Sequence, residues 1–202
     1  MPRCCRRRKL DQCALSIVDG LLVSCSDLPV YDLSGYVILP KIIDLHSNGF
    51  ERHLSPRRGA VKDLQSGFHA MYAEFATIDI TTAVLAQFLS WEGGIRGPDF
   101  AARFLEKLVV FAPKVLTTVL SHIKFETHMF EHYTQFAALG RRYAVPYVLF
   151  NEHLPHMALV AGKTPQMLTG QALKSGHSPA EHHSFLKRCV RLHRKFWAHC
   201  GS

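Results

Sequence analysis

Apolar and polar positions along the chain fall into blocks whose period changes. Residues 80–88, 115–125 and 145–151 are apolar with little interruption, whereas 61–77 and 100–111 space their apolar residues three and four apart. Short continuous apolar runs between turn residues predict buried strands, and the 3.6-residue period predicts amphipathic helices. Leu64, Phe68, Met71, Tyr72 and Phe75 make one such helical stripe, and a further helix is expected over about 129–143. Strand, polar loop and helix therefore repeat. Such alternation requires parallel crossovers and predicts an α/β sheet or barrel. The chain carries four units of this kind, where a closed TIM-type barrel has eight.

The flanks differ. Residues 1–13 lack apolar periodicity and read as a disordered basic tail, and short runs within 14–23 and 30–39, broken by Asp19-Gly20, Pro29 and Ser34-Gly35, read as small strands. Residues 157–178 hold Gly162, Pro165, Gly170 and Gly176 and read as a long loop, of the sort that serves as a lid. A basic helix over about 179–197 follows. The expected organisation is a tail (1–13), a small β element (14–36) and an incomplete TIM-type (β/α) barrel (37–202).

The stretch GYVILPKIIDLHSNGFERH, residues 35–53, organises the rest: an apolar strand ends abruptly in His46, Asn48, Glu51, Arg52 and His53. In a barrel of alternating strands and helices the chemistry is built where strand C-termini meet the following loops. Two further strand ends carry Glu126 with His128, and His153 with His156. Imidazoles and carboxylates converging on one rim suit Zn²⁺ or a two-metal site. Away from strand ends a lone histidine is ordinarily structural or superficial, the reading for His122, His132, His182, His183, His193 and His199.

Composition narrows the partners. A net charge of +8 favours anions, and the interior cations Arg52, Arg57, Arg58, Arg96, Lys163 and Lys174 stand singly or in pairs in loops, which suits a small phosphate ligand better than a nucleic-acid duplex. The six cysteines lack CxxC pairs and read as reduced cytoplasmic thiols. No apolar run reaches the roughly 18 residues of a membrane span, so a soluble chain without a membrane partner is expected.

The runs DLSGYVILPKIIDLHSNGFERHLSPRRGA, ITTAVLAQFLSWEGGIRGPDF, FETH, VLFNEHLPH and TGQALKSG resemble the N-terminal half of an amidohydrolase-superfamily enzyme, over about residues 15–188. Within it they look like the diphosphatases that act on alpha-D-ribose 1-methylphosphonate 5-triphosphate in the carbon–phosphorus lyase pathway. The resemblance implies a metal-dependent hydrolase on a distorted TIM barrel, a divalent metal, Zn foremost, and a phosphorylated ribosyl substrate. It implies His46, Asn48, Glu126 and His153 as metal ligands. Arg57, Arg58, Trp91, Arg96, Lys163 and Lys174 stand in the loops expected to bind substrate. Asn48 replaces the family's aspartate, and Lys41 and Asp79 replace glycines, so backbone strain is expected at those two positions. The family's later strands, with a further ligand and the catalytic aspartate, have no counterpart here, leaving His128 or His156 as local substitutes for the base. Two alternatives stand beside the hydrolase: a truncated, catalytically silent relative that binds metal or a phosphorylated ligand, and a basic module for nucleic acid or an acidic partner using Lys187, Arg188, Arg191, Arg194 and Lys195. The open strand edges of half a barrel also suggest a homodimer.

Overall fold

A computed structural model describes residues 3–6, 9–24, 27, 29–57, 63–162 and 164–200. Two compact units divide the chain, Met1–Ile42 and Ile43–Ser202.

In the first unit β1 (Arg3–Arg6) and β2 (Lys9–Gln12) pair antiparallel, with β3 (Ser16–Val18) and β4 (Leu21–Val23) as a separate hairpin and β5 (Val37–Ile38) parallel to β1. The segment expected to be disordered thus contains two strands. Backbone ladders formed without apolar alternation explain the correction, since only Cys4 of the described side chains in β1 and β2 is buried. β5 belongs with this unit rather than with the barrel.

The second unit is α/β. A curled four-stranded sheet runs in the order β6 (Ile42–Ser47), β7 (Ile80–Leu89), β8 (Thr118–Glu126), β9 (Val148–Asn151), with β7, β8 and β9 parallel. This topology is compatible with an incomplete barrel. β7, apolar and buried along nearly its whole length, lies inside the sheet, as a continuous apolar run should. Tyr147, next to β9, donates its hydroxyl hydrogen bond to the carbonyl of Leu45 in β6.

After β6 comes the short α1 (Glu51–Leu54), then α2 (Leu64–Thr77), which begins where Asp63 accepts the Ser66 amide at 3.0 Å. Phe68, Met71 and Phe75, spaced three and four apart, bury one face of α2. Gly67 lets α1 approach α2 closely, since a Cβ would lie 2.5 Å from Leu54 Cδ2 and 3.1 Å from the His53 carbonyl. Pro98 opens α3 (Pro98–Phe111), whose Phe104 and Leu105 stripe fills the core beside Phe68 and Phe50. α4 (Tyr133–Arg142) packs Phe136 on Phe125 of β8.

The expected loop over 157–178 is instead mostly helical, with α5 (His156–Val160), a 3-10 turn and α6 (Thr169–Ser175), closed by left-handed Gly176. Burial of Leu168 and Ala172, with α6 packing on α7 (Pro179–Cys200), stabilises these short helices against weak local propensity. Asp79, where strain was expected, has a left-handed φ of 57°, whereas Lys41 is not among the described residues with positive φ. Ala144, between α4 and β9, is also left-handed at φ 47°. Ala144→Gly is expected to raise stability by about 1 kcal/mol, because glycine removes the Cβ clash of that conformation. Chemical denaturation measures it, and an unchanged midpoint contradicts it.

Candidate metal and proton-transfer site

The functional side chains gather where β8 and β9 end. Parallel pairing sets Glu126 opposite Asn151, so the segments leaving both strands emerge side by side. His128 lies two residues beyond β8, Glu152 and His153 directly beyond β9, and His156 opens α5 after Pro155. One donor atom each from His128, Glu152 and His156 lies within 4.8 Å of the others. His128 Nε2 stands 3.4 Å from Glu152 Oε1, and His156 Nε2 bonds the same oxygen. His128 is buried, and the other two are partly open to solvent. Two imidazole nitrogens and a carboxylate oxygen are donors that a borderline divalent ion accepts, and three protein ligands leave coordination positions for a reactant. This group could therefore hold a metal ion.

Beside it lies a second cluster. Glu126 is fully buried and accepts from His153 Nδ1 at 2.6 Å, from Asn151 Nδ2 at 2.7 Å and from the His153 amide at 3.1 Å. Glu92 Oε1, in the loop after β7, stands 3.8 Å from His153 Nδ1. A carboxylate that holds an imidazole in one orientation is the arrangement of an oriented acid–base histidine.

The residues singled out as metal ligands thus separate. Glu126 and His153 meet as hydrogen-bonded partners. His46 stacks on His122 at 4.8 Å, and no group of three metal-ligating side chains among the described residues includes it. Asn48 is exposed, and its backbone carbonyl accepts the Glu51 amide at 3.2 Å.

The substrate residues separate as well. Arg96 and Lys174 line one cleft of about 600 Å³, together with Glu51, Arg52, Glu92 and Gly93. Within it Arg96 is held by Glu51 through Nε (2.9 Å) and Nη2 (2.8 Å) and by Glu92 through Nη1 (2.8 Å), over the face of Phe88. Burial works against the Arg96 charge, but the bonds to and fields of Glu51 and Glu92 outweigh it and keep its pKa above the ordinary value. Trp91 is buried against His182 at 5.4 Å and belongs to the core. Arg57 is exposed, while Arg58 and Lys163 lie outside the described residues.

Glu152 is the participant that reading the sequence did not select. The carboxylate and imidazole in Glu152-His153-Leu154-Pro155-His156 stand four apart, a usable signal once the turn at Pro155 is known. Comparison with protein-family models, with curated proteins and with solved structures finds no match to the chain. Among the described residues no helix is long and apolar enough to cross a membrane.

Proposed function

We propose that the protein is a metal-dependent hydrolase of phosphorylated small molecules, of the type found in the amidohydrolase superfamily and its alpha-D-ribose 1-methylphosphonate 5-triphosphate diphosphatases. The observation that carries the reading is the convergence of His128, Glu152 and His156 at the C-terminal ends of parallel strands, beside the buried Glu126 carboxylate and the exposed His153 imidazole bonded to it. A divalent ion, Zn²⁺ foremost, supplies Lewis-acid stabilisation of developing phosphoryl charge and lowers the pKa of water.

The chain's own residues supply the rest. His128, Glu152 and His156 hold the ion. His153 moves the proton, with Glu126 fixing its ring and Asn151 holding Glu126, so that the base is furnished locally by β8 and β9. This assigns His153 to proton transfer rather than to ligation. The incomplete barrel acts as the rigid platform on which strand ends place these groups. We take the setting to be cytoplasmic, which the unbridged thiols of Cys13 and Cys189 support.

Elemental analysis of the purified chain tests the reading. About one equivalent of divalent metal is expected, lost in the His128→Ala, His156→Ala double variant and retained in His46→Ala. His153→Gln is expected to keep the metal and lose about 10²- to 10⁴-fold in hydrolysis of a nucleoside or ribosyl polyphosphate. Metal that survives the double variant, or hydrolysis that survives His153→Gln, contradicts the assignment.

A further inference from the structure

We infer that the cleft formed by α1, the loop after β7 and α6 binds the phosphate or diphosphate group of a ligand, through Lys174, Arg52 and the backbone amides of Gly93 and Gly94. The inference deepens the proposed hydrolase by naming the part of the substrate this cleft receives, and it rests on that reading for the substrate's identity. Binding of the anion itself needs neither the metal group nor His153.

Charge is the first support. Both carboxylates in the cleft are already committed to Arg96, Glu51 through two bonds and Glu92 through one. Lys174 is exposed and has no ion pair among the described residues. Arg52 is held by Glu74 through Nε and Nη2, and its side chain stays 61% exposed. The unpaired charge on the cleft walls among the described residues is therefore positive, that of Lys174.

Backbone shape is the second. Gly93 and Gly94 are consecutive residues with positive φ, 72° and 57°. The amides of Arg96 and Gly97 bond back to the carbonyls of Gly93 and Gly94 at 3.1 Å each. Those of Gly93 and Gly94 themselves have no such bond among the described residues. Glycine turns with unshielded amides form anion-binding concavities. A Cβ on Gly93 would lie 2.5 Å from Ser175 Cα and 2.6 Å from the Lys174 carbonyl, so only glycine lets this turn sit against α6. That contact is what brings Lys174 to the glycine turn. The volume, about 600 Å³, lies in the range of small-molecule sites, and Glu92 links the cleft to His153.

Calorimetric titration of the full chain with inorganic diphosphate, in EDTA and at low salt, tests the assignment. The unaltered chain is expected to bind, with Lys174→Ala weakening affinity about tenfold. Gly94→Asp is expected to abolish binding and Gly94→Asn to keep it. Both side chains tolerate the left-handed position, where a Cβ meets only the Lys174 carbonyl at 3.8 Å, so they differ in charge rather than in fold. The His128→Ala, His156→Ala variant is expected to bind diphosphate undiminished, which separates failure of the metal site from failure of the cleft. Affinity unchanged in both Lys174→Ala and Gly94→Asp, or no binding at about 10 mM diphosphate, overturns the inference.

Discussion

Arg96→Met is expected to cost about 2 to 3 kcal/mol of folding stability at pH 7. The methionine keeps apolar contact with Phe88 but leaves Glu51 and Glu92, each mostly shielded from water, without the cation between them. Removing one member of a fully buried pair costs roughly 3 to 5 kcal/mol, and partial exposure here lowers the figure. Arg96→Lys should recover less than half, since an ammonium cannot bond both oxygens of Glu51 side by side. Urea denaturation at pH 7 measures both effects. A loss under about 0.5 kcal/mol for Arg96→Met would mean that the pair is ornamental to the fold.

The second large effect belongs to His122, which is wholly buried on β8 between the rings of His46 and Tyr147. Neither of its ring nitrogens has a hydrogen-bond partner among the described residues. Burial, then the nearby His46 and Lys124, lowers its pKa from 6.5 to about 4. Below pH 6.5 the unfolded chain takes up a proton that the folded chain refuses until about pH 4. Stability from this group is therefore whole above pH 6.5 and declines as pH falls toward 4, by about 3 kcal/mol in all at 1.36 kcal/mol per unit. His122→Phe keeps a ring in the stack and removes the titration. The stability difference between pH 7 and pH 4.5 is expected to shrink by about 2 to 3 kcal/mol in this variant, and parallel pH profiles for the two proteins would refute the assignment.

His122 also illustrates where reading the sequence reaches its limit. A structural or surface role was expected for it, but not an unbonded imidazole packed between two other rings. Its partner in the register of β7 is Ala86, small enough to let rings from other strands meet across it. Likewise His46 has the strand-end position of a metal ligand and the tertiary contacts of a packing residue. Trp91 has the loop position of a substrate contact, yet α7 covers it with His182 and Phe185. These outcomes depend on which elements pack together, and no local pattern records that.

The β/α alternation, the helix stripes of α2 and α3, the buried β7 and the gathering of polar residues at the ends of β8 and β9 were determined by the sequence itself. Periods of 3.6 and of short apolar runs follow from local backbone geometry and from which face must leave water. Tertiary structure alone decided that Glu126 bonds His153 instead of joining His46, that Glu152 draws His128 and His156 together, and that the 157–178 segment is helical. The first two need separate segments of the chain to be brought within a few ångströms, which the parallel register of β8 and β9 sets, and the third needs burial against the neighbouring α7.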